Sequence, residues 1–187
     1  IIEKISQASC AGVPVQMIVR GICCIKAGVP GKTENVTIRS IVGRYLEHER
    51  VYAFGSWPDT RVYIASGDFL TRNTERRVEV GVRIRSAKIR CELWEMLQMQ
   101  LNDNVNAKEM MADGSYQKVR RQNDEARVDS QADMYRVLQN AWPRTGVPSR
   151  NQPTKKTLPQ RKTAFRRTTT RHSGDLFSSI LHLLKKK

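Results

Sequence analysis

The positive charge of this chain is gathered at one end, which separates a part able to build a core from a part that is not. Of 187 residues, 33 are Lys or Arg and 18 are Asp or Glu, a net charge of +15. Residues 1–113 hold 16 basic and 13 acidic residues, net +3, whereas residues 114–187 hold 17 and 5, net +12. From Arg144 onward, 12 basic residues meet one acid, Asp175, and Pro143, Pro148, Pro153 and Pro159 punctuate the stretch with Thr168-Thr169-Thr170. Such a segment cannot bury enough apolar surface to offset the entropy of ordering it. The composition predicts a disordered basic tail over roughly 143–175. A short amphipathic helix follows, carrying Leu176, Phe177, Ile180, Leu181, Leu183 and Leu184 ahead of Lys185-Lys186-Lys187. The tail reads either as a solvated linker or as an electrostatic contact to nucleic acid or an acidic membrane surface. No nucleic-acid motif accompanies it, and only Phe165 and Phe177 are available to stack on a base.

No apolar run is long enough to span a membrane, which takes about 18–20 residues. The first residues, Ile1-Ile2-Glu3-Lys4, have neither a secretory pattern nor an initiator Met, so the chain reads as a fragment of something longer. Cys10, Cys23, Cys24 and Cys91 form no CxxC pair and no zinc spacing, and are expected as reduced, buried thiols of a cytosolic protein.

Residues 1–113 alternate between helix and strand periods. Ile1, Ile2, Ile5 and Ala8 predict a helix over 1–11 that Gly12 ends. The run Val13–Val19 predicts a strand apolar enough to be buried on both faces. A loop marked by Gly28, Pro30 and Gly31 leads to a second strand, Asn35–Arg39. Arg50–Phe54 and Arg61–Ala65, joined by Gly55-Ser56-Trp57-Pro58-Asp59-Thr60, predict a hairpin, and Val78–Ile84 a fifth strand. A helix is expected over 86–104, with Ile89, Leu93, Trp94, Leu97 and Leu101 as its core face. This order predicts an α/β fold, a mixed sheet flanked by helices.

Arginines fall at the ends of these elements. Arg20 closes the first strand ahead of Gly21, Arg39 closes the second, and Arg44, Arg72, Arg76 and Arg77 lie in connections. Each alone reads as a surface arginine; together they have the chemistry to grip a phosphate bidentately. Arg20 stands out, because the residue after a strand and before a glycine faces ligand in many α/β folds. His172 and His182 lie in the tail, whereas His48 directly precedes a strand. An imidazole titrates near neutrality and serves as nucleophile, acid or phosphate donor. With Arg50 two residues on and Ser66-Gly67-Asp68 after the strand pair, His48 forms a degenerate version of the His-x-Lys…Gly-Ser-x-Asn pattern of phospholipase D-like phosphotransferases.

The run Ile18-Val19-Arg20-Gly21-Ile22-Cys23-Cys24, then Gly28-Val29-Pro30-Gly31, Glu34-Asn35-Val36 and Arg39-Ser40-Ile41-Val42-Gly43-Arg44-Tyr45-Leu46-Glu47-His48, closely resembles the bacterial polyphosphate kinases. The resemblance continues through Val62-Tyr63-Ile64, Ser66-Gly67-Asp68, Arg72-Asn73, Arg76-Arg77-Val78-Glu79-Val80 and Leu101-x-Asp103-Asn104. It covers residues 1–118, implying the last phospholipase D-like catalytic domain of that enzyme there and a basic tail over 119–187. The chain departs from the family in having Glu49 where Ser is usual. It also has Ser66-Gly67-Asp68-Phe69-Leu70-Thr71-Arg72-Asn73 in place of Ser-Ala-Asp-Trp-Met-Pro-Arg-Asn.

The resemblance implies a phosphotransferase that passes the terminal phosphate of ATP reversibly to inorganic polyphosphate, with magnesium and through a phosphohistidine. It implies that Arg20 and His48 contact the nucleotide phosphates and that His48 acts as acid or base. Arg44, Arg50, Arg72, Arg76 and Arg77 are candidates to line a phosphate channel. The phosphohistidine and the magnesium-linked residues are expected in the preceding domain, so this chain alone is expected to be inactive. The implied partners are ATP or ADP, polyphosphate, the remaining domains of the kinase and further copies in a homo-oligomer. The expected location is the cytoplasm, with the periphery of the inner membrane as the alternative. Two other functions stay open: a phospholipase D-like phosphodiesterase, and a non-enzymatic polyanion binder acting through the tail.

Overall fold

A computed structural model of the protein describes residues 1–141. The expected disorder over 143–175 and the terminal helix lie outside the described residues. The elements run α1 (Ile2–Cys10), β1 (Val15–Ile18), β2 (Val36–Ile41), β3 (Val51–Phe54), β4 (Arg61–Ala65) and α2 (Thr71–Arg76). They continue with β5 (Gly81–Arg83), α3 (Ala87–Leu101), β6 (Ala107–Met110), β7 (Tyr116–Lys118) and α4 (Ser130–Ala141). The strands form two sheets. One has the order β1-β2-β6-β7, with β1 parallel to β2 and the other pairs antiparallel; the other is the antiparallel β3-β4-β5. The predicted mixed α/β class holds.

The elements follow from local chemistry. Gly12 has φ +80°, the left-handed conformation that stops α1 without a Cβ penalty. Ser86 caps α3, its Oγ accepting from the Ile89 amide at 3.5 Å. In β2, Val36 and Ile38 point to one face and join Ile25, Ala27 and Met110 in a core against which Ile5 of α1 packs. Arg39 points to the other face and reaches the Leu101 carbonyl at the end of α3. α1 thus packs on one face of this sheet, and the end of α3 meets the other through Arg39. Burying Val36 and Ile38 contributes about 1.5–3 kcal/mol each.

Several expectations are corrected. The predicted first strand has a single strand neighbour, and its residues are half-buried or exposed rather than buried on both faces, because it lies at the edge of its sheet. In α3, Ile89 is 47% exposed, Leu93, Trp94, Leu97 and Leu101 are half-buried rather than core, and the buried residues are Met99 and Gln100. The four cysteines are free, but Cys10 and Cys24 are exposed and Cys23 and Cys91 half-buried. Cys23-Cys24 lies in the loop after β1, which leaves Cys24 at the surface. No helix among the described residues is long and apolar enough to cross a membrane.

The folded region also runs on past Lys118. Residues Ile1–Met134 form one compact unit, and Tyr135–Lys187 a second, described here as far as Ala141. One carboxylate accounts for the extension of the first unit. Asp103, fully buried, accepts from the amides of Val105, Asn106 and Ala107 through Oδ1 (2.9, 2.7 and 3.0 Å). Through Oδ2 it accepts from the amide and hydroxyl of Ser130 (2.8 and 2.7 Å). Asn104 adds bonds to Ala126 and Val128.

Candidate phosphate site

Antiparallel pairing sets the site at one edge of the second sheet. The start of β3 lies beside the end of β4 (Val51 opposite Ile64), and the end of β4 beside the start of β5 (Ala65 opposite Gly81). His48 and Arg50 lead into β3, Asp68 follows β4, and Glu79 precedes β5, so all four gather there. Arg20 arrives from the first sheet, just beyond β1.

Arg20 donates from NH1 to the backbone carbonyl of Glu47, the residue before His48. The two residues expected to meet the nucleotide phosphates are therefore brought together, and both are exposed. Arg50 pairs with Asp68, Nε to Oδ1 at 3.0 Å. Its NH1 donates to the His48 carbonyl at 3.0 Å and lies 3.1 Å from Nδ1 and 3.4 Å from Nε2 of the His48 ring. The hydrogen bond from Arg50, with the nearby charges of Arg50, Arg20 and Arg72, holds the Asp68 carboxyl below the usual carboxylate range. Three of the predicted arginines thus surround one carboxylate.

The remaining candidates are distributed differently. Arg44 lies over the ring of Tyr45, 5.7 Å from its centroid. Arg72 and Arg76 are exposed on α2 and Arg77 directly after it. Arg77 helps, after the hydrogen bonds from Ser66 and Asn73, to keep the Glu79 carboxyl low. Arg39, also read as a strand-end arginine, belongs to the framework. It makes a cross-strand pair with Glu109 at 3.1 Å and points away into the end of α3.

The loop carrying His48 is clamped by residues that sequence reasoning missed. Gln131, in the first turn of α4, is buried. Its amide nitrogen donates to the Tyr45 carbonyl at 2.8 Å and to Glu47 Oε1 at 2.7 Å, while its oxygen accepts from the Tyr45 amide at 3.0 Å. Gln100 of α3 donates to Glu49. Burial raises the Glu47 carboxyl and the Gln131 bond only partly offsets it; burial also opposes ionisation of Glu49, where hydrogen bonds from the backbone and Gln100 prevail and lower it. On the far side, Ser66 donates to Glu79, as does Asn73 at 2.8 Å, and the Tyr52 ring stacks on Phe69 with centroids 4.3 Å apart. The one local signal for this framework is Asp103-Asn104-x-Asn106, a turn-forming cluster; nothing near Gln131 marks it.

Among the described residues no group of three or more His, Cys, Asp or Glu is arranged to hold a metal ion. The carboxylates around this loop have partners: Asp68 has Arg50, Glu47 has Gln131, Glu49 has Gln100, and Glu79 has Ser66 and Asn73.

Known proteins are similar in sequence and fold. The sequence model for polyphosphate kinase C-terminal domain 2 matches residues 1–131, so the similarity extends past the boundary drawn at 118 and takes in Ser130 and Gln131. The chain is 40% identical over 137 residues to the polyphosphate kinase of Bacillus anthracis, a match covering 73% of this chain and 19% of that protein. With the polyphosphate kinase of Burkholderia multivorans it shares 48% identity over 121 residues, 64% of this chain and 18% of the other. The crystal structure of polyphosphate kinase from Porphyromonas gingivalis superposes with a TM-score of 0.70 at 33% identity, covering 74% of this chain and 21% of that one. The chain thus spans about a fifth of the length of the relatives it matches. With its fold, its clustered arginines and a family match over most of its length, the chain belongs to the polyphosphate kinase C-terminal domain 2 family.

Proposed function

We propose that this chain is the part of a polyphosphate kinase that holds the phosphates of ATP, with Arg20 and His48 facing the nucleotide as its terminal phosphate passes reversibly to inorganic polyphosphate. The observation that carries this reading is the Arg20 bond to the Glu47 carbonyl, which puts a guanidinium beside the His48 loop with Arg72 nearby. A phosphoryl group in transfer spreads its charge over its oxygens, so a protein assists mainly by positioning it and supplying cations. Arg20, Arg72, Arg76 and Arg77 are exposed and supply that field. Polyphosphate is a linear polyanion that such a field binds without reading a sequence. His48 donates to a phosphate oxygen or gives its proton to the leaving one. Magnesium would arrive with the nucleotide, its protein ligands expected outside this chain.

The test is substitution within a polyphosphate kinase that contains this chain. Arg20→Ala and His48→Ala are each expected to lower turnover by about 10²-fold or more, the scale for losing one charge-stabilising or proton-transferring group. Wild-type turnover in both contradicts the assignment.

A further inference from the structure

We infer that Asp68 and Arg50 act together as positioning residues for His48, and that Arg50 is not itself a phosphate ligand. The inference rests on the role proposed above for His48 and adds which residues set its ring.

The Arg50 side chain is only 17% accessible, and both ends of its guanidinium are committed. Nε and NH2 face Asp68, at 3.0 Å from Oδ1 and 3.5 Å from Oδ2. NH1 faces His48, meeting its carbonyl and its ring. This is a chain of contacts from a carboxylate through a rigid planar cation to an imidazole. A phosphate that took Nε or NH1 as donor would have to break it. Arg20 and Arg72 are near the same carboxylate without a salt bridge to it among the described residues, so cations for a phosphate remain once Arg50 is assigned to the ring.

The contact holds the ring by its face. NH1 is 3.1 Å from Nδ1 and 3.4 Å from Nε2 at once, which places it over the ring between the two nitrogens rather than along either in-plane lone pair. A guanidinium only donates, so the contact fixes where the ring lies and leaves the in-plane directions of both nitrogens to a phosphate oxygen. Asp68 keeps the guanidinium plane from turning, and the Tyr52–Gly67 bond (2.9 Å) holds the backbone next to Asp68.

Imidazole nitrogen NMR of the 15N-labelled 187-residue chain tests this directly, with His48 assigned by its loss in His48→Gln. Wild type is expected to show His48 ring signals displaced from those of free imidazole by the overlying guanidinium. Asp68→Asn and Arg50→Gln are each expected to give the averaged pattern of free imidazole, and the double variant no more than either alone. Amide spectra report whether each variant stays folded, and Arg61→Gln, exposed on β4, is expected to leave the His48 signals unchanged. The pattern of free imidazole in wild type, or an unaltered ring in both variants, overturns the inference. A kinetic arm in a polyphosphate kinase containing this chain separates it from the reading beneath. Arg50→Lys and Asp68→Asn are expected to lower kcat by about tenfold or more with KM for ATP nearly unchanged. A raised KM at constant kcat makes Arg50 a phosphate ligand after all. Full activity of His48→Gln removes the role of His48 itself, whatever the ring shows.

Discussion

Gln131 holds both backbone groups of Tyr45, its amide accepting from the Tyr45 nitrogen at 3.0 Å and donating to the Tyr45 oxygen at 2.8 Å. A side chain 86 residues away in sequence thus imitates a strand partner for the loop that carries His48. Gln131→Ala removes three hydrogen bonds that hold Tyr45 and Glu47 and is expected to cost about 1–3 kcal/mol. Gly43→Ala is expected to do the same by another route, since a Cβ there meets the Gln131 amide, which is bonded and not free to yield. Thermal melts of both variants and their combination check this. The two effects are expected to be less than additive, and strict additivity contradicts a shared clamp.

Asp103 closes the domain around its C-terminal part. With five bonds to one buried carboxylate, Asp103→Asn exchanges an acceptor for a donor opposite Ser130 and is expected to destabilise by about 2–4 kcal/mol. Its pKa carries a sign that can be checked. Burial works against the charged form, but the bonds from Ser130, Asn106 and Val105 prevail and hold the carboxyl below its ordinary value. A depressed native pKa adds stability that is complete above the unfolded value, near 4, and fades as pH falls toward the native one. Chemical denaturation between pH 6 and pH 3 is expected to show that loss in wild type and a smaller one in Asp103→Asn. Equal slopes contradict it.

Arg39 separates framework from site. Arg39→Gln loses the pair with Glu109 and the bond to Leu101 and is expected to cost about 1–2 kcal/mol while leaving ATP affinity unchanged. A weaker ATP isotherm with unchanged melting would return Arg39 to the phosphate-binding set.

The sequence shows well what is periodic and poorly what is distant. The hairpin strands were legible from Val51-Tyr52-Ala53-Phe54 and Arg61-Val62-Tyr63-Ile64-Ala65, because alternation and a turn-rich hexapeptide are local signals. Arg20 and His48 were legible from chemistry beside element ends and from family resemblance. β6, β7 and α4 were not, since Ala107-Lys108-Glu109-Met110 lacks a strong strand pattern and owes its place to pairing with β2. The apolar run at β1 predicts two covered faces, yet exposure there is decided by how many strands lie beside it, which no window of sequence contains. Arginine roles were the least legible, because Arg39, Arg50 and Arg20 all read as strand-end residues in the sequence, while in the fold Arg39 lies within β2 opposite Glu109, Arg50 leads into β3 opposite Asp68, and Arg20 follows β1.

The most direct measurement of the central claim is calorimetric titration of ATP and of polyphosphate into the chain, its Arg20→Ala variant and a form ending at residue 141. The account predicts that binding falls with Arg20→Ala and survives removal of the basic tail. Binding that ignores Arg20 and disappears with the tail contradicts it, and would make charge in residues 142–187, rather than the Arg20–His48 site, what holds phosphate in this chain.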